Sequence, residues 1–186
     1  MAKLRDRDVR GALIARLEVQ HRGEPSLVLS EFGVPDARVD VAVVNGLLHG
    51  VEIKSDADTL ERLPRQIEAY GRVFDRVTIV VGQCHLDVTL RTVPDWWGVE
   101  TVTEGPVFAE VRSPEQNPDQ SPPDIAALLW RDEALEILAS IGCDRGVKSK
   151  PRRVVHQRLA DSVSLDTLRD LVRAQLKSRH EAGWRA

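Results

Sequence analysis

The chain has 186 residues, 42% of them apolar, so it can bury one substantial core and still carry a smaller accessory region. Its two cysteines, Cys84 and Cys143, form no ligand-spaced pair, which argues against a disulfide framework or a zinc site. The N-terminus is charged, and no apolar run approaches the roughly 18 residues of a membrane span. We therefore expect a cytoplasmic protein that has no membrane partner.

The formal net charge of −3 is distributed unevenly. Residues 145–186 hold eleven Lys or Arg and four Asp or Glu, a net charge of +7, which leaves −10 for the rest of the chain. Such a basic region can hold a phosphate backbone, and an acidic part beside it suits metal-binding carboxylates. The alternative is that these charges are the solvated faces of surface helices.

The first third of the chain predicts a helix followed by strands. Apolar residues at helical spacing predict an amphipathic helix over 6–20 that covers a sheet. Apolar and β-branched runs predict strands at 27–32, 38–44 and 47–54. The Asn45-Gly46 pair between the last two runs predicts a two-residue turn and an antiparallel hairpin.

The period then changes to that of a helix over 59–74, where apolar residues recur every three or four positions. Asp58 and Glu61 resemble a capping box at its start. Pro64 leaves two alternatives, a kinked helix or a short turn followed by a helix that opens at Pro64.

The remainder of the chain predicts a change from strands to helices. The continuous apolar run at 77–82 predicts a buried strand, and a turn and one more strand follow by residue 105. The proline-containing segment 106–123 predicts a linker or a long surface loop. Helical periodicity returns in three further segments, at 124–140, 151–161 and 164–180.

Ser164 or Asp161 can cap the last of these helices. The change from strands to helices divides the chain into a domain at 1–105 that holds the strands, a linker or surface loop at 106–123 and a basic helical region at 124–186.

Three side chains of the predicted hairpin have the chemistry of a metal site. Asp40 opens one strand and Glu52 ends the next, so the turn brings both carboxylates to the same end of the hairpin. Glu52 and Lys54 are two positions apart and share a face of their strand. Hard divalent ions such as Mg²⁺ or Mn²⁺ prefer carboxylate oxygens, and Lys54 would then lie beside the metal. The alternative is an ordinary surface salt-bridge cluster with Arg38.

The order of these residues resembles a known family. A helix, Glu31, Arg38-Val39-Asp40, Glu52-Ile53-Lys54 and Gln66-Ile67-Glu68-Ala69-Tyr70 resemble the PD-(D/E)XK nuclease superfamily, particularly its RecB-like branch with a Gln-x-x-x-Tyr helix. The resemblance covers about residues 8–105. The chain also looks like a group of small, stand-alone bacterial members of that superfamily.

The resemblance implies an α/β fold with a restriction-endonuclease-like αβββαβ core, a central mixed sheet flanked by helices, and a small all-helical C-terminal appendage. It implies that Asp40, Glu52 and the main-chain carbonyl of Ile53 bind one or two metal ions. Lys54 would position the attacking water, and Glu31 would bind metal through water or accept a proton.

Further residues are expected to contact the substrate. The resemblance implies this role for Gln66 and Tyr70, and the charge pattern extends it to Arg38, Arg152, Arg153 and Arg158. The literal Pro35-Asp36 dipeptide offers an alternative first acid, but it falls in a turn, so Asp40 is preferred. Glu31, Gln66 and Tyr70 have structural or solvent-facing alternatives.

Two aromatic residues, Trp96 and Trp97, can stack on bases, although at least one is expected to close the core.

These patterns predict a nuclease that hydrolyses phosphodiester bonds with Mg²⁺ or Mn²⁺, on DNA in preference to RNA. One alternative is a non-catalytic module that binds nucleic acid or a protein on a nuclease scaffold. Another is an effector nuclease that depends on a partner. A protein partner or a homodimer is compatible with all three.

Overall fold

A computed structural model describes residues 6–23 and 25–183, which form a six-stranded mixed sheet with helices on both faces. The strands are β1 (Leu27–Val34), β2 (Ala37–Val44), β3 (Leu48–Lys54), β4 (Arg76–Gly82), β5 (Gly98–Thr103) and β6 (Val107–Arg112). The helices are α1 (Asp6–Gln20), α2 (Leu63–Gly71), α3 (Leu86–Thr92), α4 (Pro122–Ala126), α5 (Arg131–Ser140), α6 (Arg152–Ser162) and α7 (Leu165–Glu181).

The strands follow one another across the sheet in the order β1 to β6. β1, β2 and β3 are antiparallel neighbours, whereas β3, β4 and β5 run parallel and β6 returns antiparallel to β5. Parallel neighbours need a crossover, and α2 and α3 supply the two crossovers. The predicted αβββαβ order and the mixed sheet are confirmed.

The sheet separates two apolar clusters. On one face, α1 packs Val9, Leu13 and Leu17 against inward-facing residues of β2 to β5. On the other face, α2 and the C-terminal helices share one continuous cluster with β1 to β5, and Tyr70, Phe74 and Trp97 are its large aromatic members. The expectation that a tryptophan closes the core is confirmed by Trp97, which is fully buried.

The C-terminal region is all-helical, as expected, and buried ion pairs attach it to the sheet. Asp75, just before β4, is 1% exposed and contacts Arg169 at 3.1 Å and Arg173 at 3.0 Å, both from α7. Arg179 pairs with the buried Glu133 of α5 at 2.5 Å. Part of the positive charge of this region is therefore used inside the fold.

The predicted linker is wrong at its start, because residues 107–112 form strand β6. Most side chains of this edge strand are exposed, so its sequence carries little of the apolar alternation that marks a half-buried strand. Helix α3 is also unpredicted, since its apolar face consists of only Leu86 and Leu90. The helix predicted over 124–140 is divided into α4 and α5.

Two predictions of local geometry need correction. The hairpin loop has three residues, because Val44 pairs with Leu48, and the Asn45 side chain closes it by accepting from the Leu47 amide at 2.8 Å. Asp58 is not a helix cap: its carboxylate accepts from the Ser55 amide at 2.7 Å. α2 instead begins at Leu63 with Pro64 in its first turn, which selects the second alternative given for that proline.

In the described part of the chain, no helix combines the length and the apolar character that crossing a membrane requires.

Candidate functional site

Three acidic residues lie in a row across neighbouring strands. Glu31 falls between the pairs Ser30–Val41 and Phe32–Val39, which places it opposite Asp40. Continuing the β2–β3 register by one residue beyond Val41–Val51 places Asp40 opposite Glu52. The predicted convergence of Asp40 and Glu52 is thus confirmed, and Glu31 extends the row.

The backbone at Glu31 departs from regular strand geometry. Its φ is +56°, in the left-handed region that few residues other than glycine adopt. The buried apolar residues of β1 lie at positions 27 and 29 before Glu31 and at positions 32 and 34 after it, so the alternation along the strand shifts by one residue at Glu31. This local kink aims Glu31 toward the neighbouring site residues, and such strain is frequent at functional sites.

Glu52 is the centre of the site. It is 2% exposed and lies on β3, where Lys54 is the other buried charged residue. Its Oε1 atom accepts from Lys54 Nζ at 2.5 Å and from Gln66 Nε2 at 2.5 Å, and its Oε2 atom lies 2.7 Å from the Tyr70 hydroxyl. Burying a carboxylate is costly unless it is paired, so these three donors are what allows it to stay in the core.

Helix α2 positions Gln66 and Tyr70, which are one turn apart on the same face. The Tyr70 ring stacks on Trp97 with centroids 6.1 Å apart, and its hydroxyl also lies 2.8 Å from the Arg38 carbonyl oxygen. Burial, followed by the nearby Glu52 carboxylate, raises the pKa of Tyr70 far above its usual value. The hydroxyl is therefore a permanent hydrogen-bond donor at neutral pH.

Arg10 of α1 connects the other two acids. Its Nη2 donates to Asp40 Oδ1 at 2.7 Å, and its Nη1 pairs with Glu31 Oε1. Arg38 Nε pairs with the second oxygen of Glu31 at 2.7 Å. Asp40 Oδ2 also accepts from the Ile53 amide at 2.8 Å, so Asp40 is held by two different elements.

A cavity of about 510 Å³ opens beside these acids. Asp40, Glu52 and Gln66 contribute to its lining, and Arg38, Arg62 and Arg65 are exposed arginines of the same lining. The Glu52 carboxylate is buried, while these positive charges lie toward solvent. This arrangement suits a negatively charged ligand.

The residues present fit a divalent metal in part. The donor set offers two facing carboxylates, and Gln66 Oε1 is a buried acceptor with no hydrogen-bond donor among the described residues. In that same part of the chain, no three His, Cys, Asp or Glu side chains lie close enough together to hold an ion. The predicted ligand set needs only Asp40, Glu52 and the Ile53 carbonyl, with Arg10 standing where a cation would neutralise Asp40.

The remaining predicted residues lie apart from this centre. Asp36 lines the outer cavity, but its side chain is 82% exposed and pairs with Arg72, which supports Asp40 as the first acid. Arg152 and Arg153 line a separate cleft of about 750 Å³, and Arg152 donates to the Ala127 carbonyl at 2.8 Å.

Arg158 is exposed farther along α6. The three predicted C-terminal arginines are therefore not part of the acid-lined cavity.

Three charged residues of the cavity lining are absent from the sequence-based prediction: Arg10, Arg62 and Arg65. Arg10 adjoins the apolar stripe of α1, and only the tertiary fold shows which strand residues it meets. Arg62 precedes Gln66 by four positions and Arg65 precedes it by one. This closeness to Gln66 on α2 was the sequence signal that could have placed both arginines at the site.

Comparison with known proteins gives one family and two similar chains. Protein cII of Enterobacteria phage P4 is 27% identical over 184 residues, which cover 96% of this chain and 69% of that protein. A protein of unknown function from Silicibacter pomeroyi is similar in structure, with a TM-score of 0.43 and 20% identity over 74% of this chain and 94% of that one. The family model described as Bacteriophage P4 protein cII matches residues 1–185, and the chain belongs to that family.

Proposed function

We propose that this chain is a divalent-metal-dependent nuclease of the PD-(D/E)XK kind that hydrolyses DNA in the cytoplasm. The observation that carries the proposal is the set of contacts around Glu52: Lys54, Gln66 and Tyr70 all meet one buried carboxylate that faces Asp40 across the hairpin. A buried acid and a buried lysine contribute little to stability at a position where apolar residues pack well, so a catalytic role explains them better.

In this proposal Asp40, Glu52 and the Ile53 carbonyl hold Mg²⁺ or Mn²⁺. The bound metal would polarise a phosphoryl oxygen and lower the pKa of an attacking water. Lys54, 3% exposed beside Glu52, orients that water and offsets the negative charge that develops on the phosphate. Gln66 and Tyr70 fix the Glu52 carboxylate, and the free Gln66 Oε1 can accept a hydrogen bond from the water.

The test compares wild-type protein with Lys54→Ala on linear, nicked, branched and single-stranded DNA, and on RNA, with Mg²⁺ or Mn²⁺. Loss of the lysine should reduce cleavage by about 10²-fold or more while DNA binding persists. Lys148→Ala is the matched control, because Lys148 is an exposed lysine paired with Asp144 on the surface. Equal cleavage by Lys54→Ala would contradict the assignment, as would the absence of any product from the wild type.

A second candidate function is a non-catalytic nucleic-acid-binding module on the same scaffold. The observation that favours it is the engagement of both Asp40 and Glu31 by Arg10, which neutralises the predicted metal ligands from within. This candidate predicts DNA binding that is the same in metal-free buffer and in Mg²⁺. Metal-dependent product formation would exclude it.

A further inference from the structure

Two arginines at the cavity have no acidic partner in the part of the chain that the structure describes. Arg62 and Arg65 are both exposed, both line the cavity beside Asp40 and Glu52, and neither makes an ion pair with any residue in 6–23 or 25–183. Their guanidinium groups therefore keep their full charge and their donors for a ligand. Guanidinium is well suited to phosphate because its planar donors can bind two oxygens at once.

The other arginines of the cavity are already neutralised. Arg10 pairs with Glu31 and Asp40, and Arg38 pairs with Glu31. The contrast identifies Arg62 and Arg65 as the positive charges of this cavity available to an incoming anion.

Their place on α2 adds two independent features. Arg62 is the N-cap residue of the helix and Arg65 lies in its first turn, so both stand at the end that carries the positive partial charge of the helix. Gln66 follows at once and lines the same cavity, and its buried Oε1 has no hydrogen-bond donor among the described residues. A ligand held by the two arginines would thus lie beside the Gln66 side chain and Glu52.

We propose that Arg62 and Arg65 form a phosphate clamp, which binds backbone phosphates next to the phosphodiester presented to Glu52. The substrate class that this clamp selects is a nucleic-acid strand with several consecutive phosphates, rather than a mononucleotide. The clamp rests on the proposed function for its catalytic meaning, but it makes its own prediction about binding.

The experiment measures binding of a short fluorescein-labelled DNA strand by fluorescence anisotropy, in metal-free buffer, over a series of KCl concentrations. Each lost phosphate contact should lower the slope of log K against log salt by about 0.7 on a single strand and about 0.9 on duplex DNA. Arg62→Ala with Arg65→Ala should show twice that loss. The double replacement by lysine keeps both charges and should retain the wild-type slope.

Arg22→Ala with Arg91→Ala is the matched control, because both residues are exposed arginines outside the cavity lining. A slope for the clamp variant equal to that of this control overturns the proposal, and so does a wild-type protein that binds no DNA. Polyglutamate that displaces the strand as well as unlabelled DNA does would also overturn it, since the site would then accept any polyanion.

The two proposals fail in different ways. If no metal supports cleavage by the wild type but the salt slope of the double alanine variant falls as expected, the phosphate clamp is supported and the nuclease proposal is contradicted. If cleavage depends on Lys54 but the salt slope of the double alanine variant equals that of the wild type, the nuclease proposal is supported and the phosphate clamp is contradicted.

Discussion

Arg10 is the residue that would most directly oppose binding of the proposed metal. It lies between Glu31 and Asp40, with its side chain only 23% exposed, and supplies the positive charge that a metal would otherwise supply to Asp40. A metal at this site would therefore have to compete with the guanidinium group of Arg10 for the Asp40 carboxylate. The same contact keeps α1 joined to β1 and β2 in the absence of metal.

Replacing Arg10 by methionine should tighten Mn²⁺ binding about tenfold, which corresponds to about 1.4 kcal/mol, because the competing cation is removed while the aliphatic stem is kept. Mn²⁺ titration followed by electron paramagnetic resonance measures this affinity without a requirement for activity. Asp40→Asn serves as the opposite control and should weaken binding. Unchanged or weaker binding by Arg10→Met would show that Arg10 does not occupy the metal's place.

His49 is a half-buried histidine on β3 that hydrogen-bonds to Thr78 at 2.9 Å. Burial, followed by repulsion from Arg76 and then His21, lowers the pKa of His49 from 6.5 to about 4. As the pH falls, the unfolded chain takes up the proton on His49 before the folded chain does. The titration of His49 therefore leaves the free energy of unfolding unchanged above about pH 6.5 and lowers it between about pH 6.5 and 4.

The free energy of unfolding of the wild type should therefore fall by about 2 kcal/mol more than that of His49→Gln between pH 7 and pH 4.5. Glutamine has a similar reach toward Thr78 and does not titrate. Urea denaturation at the two pH values gives the comparison. Parallel losses in both proteins would mean that His49 does not titrate between them.

At the scale of single elements, the strength of the local pattern decided what could be predicted. The β2–β3 hairpin has a polar turn between two apolar runs, α1 has apolar residues at helical spacing, and β4 is a continuous apolar run, so their positions follow from local sequence. β6 is an exposed edge strand stabilised by pairing with β5, which no local pattern reports. Asp58 mimicked a capping box, but Pro64 set the start of α2.

Helix α7 is attached to the sheet through Asp75. This carboxylate accepts from the Leu48 amide at 2.7 Å and pairs with Arg169 and Arg173. Asp75→Ala would leave the Leu48 amide without its acceptor and would remove the buried carboxylate partner of two partly buried guanidinium groups, Arg169 and Arg173.

We expect Asp75→Ala to lower the free energy of unfolding by about 3 kcal/mol. Asp170→Ala is the matched control, because Asp170 pairs with the same Arg173 while its side chain is 78% exposed. That change should cost about 0.5 kcal/mol or less. Urea denaturation of both variants measures the difference, and similar costs would show that the buried position of Asp75 adds nothing.

At the scale of the whole molecule, the candidate site is predictable only where it is local. Asp40, Glu52 and Lys54 follow from one hairpin, whose geometry is fixed by sequence neighbours. Arg10 reaches the site across the α1–sheet packing, and only the assembled fold shows that Arg152 and Arg153 line another cleft. Long-range placement of charged side chains depends on packing that periodicity does not encode.

The C-terminal helices are part of the core that supports the site. Twelve of the 31 buried residues in the larger apolar cluster lie beyond residue 123, and they cover the same sheet face as Tyr70 and Phe74. A fragment of residues 1–123 would expose that face to water and would also lose the partners of Asp75. We therefore expect the predicted boundary between residues 1–105 and the helical region to be a division of sequence, and not of stability.

Expressed alone, residues 1–123 should show no cooperative thermal unfolding and little native-like near-ultraviolet circular dichroism, because the buried environment of Trp97 and Tyr70 depends on the covered face. Residues 6–183 provide the matched control and should unfold in one transition, since both halves share the cluster. A fragment of residues 1–123 that unfolds cooperatively would mean that the sheet and α2 suffice to hold Glu52 and its donors in place. In that case the basic helices would be a true appendage, and they could be exchanged without loss of the site.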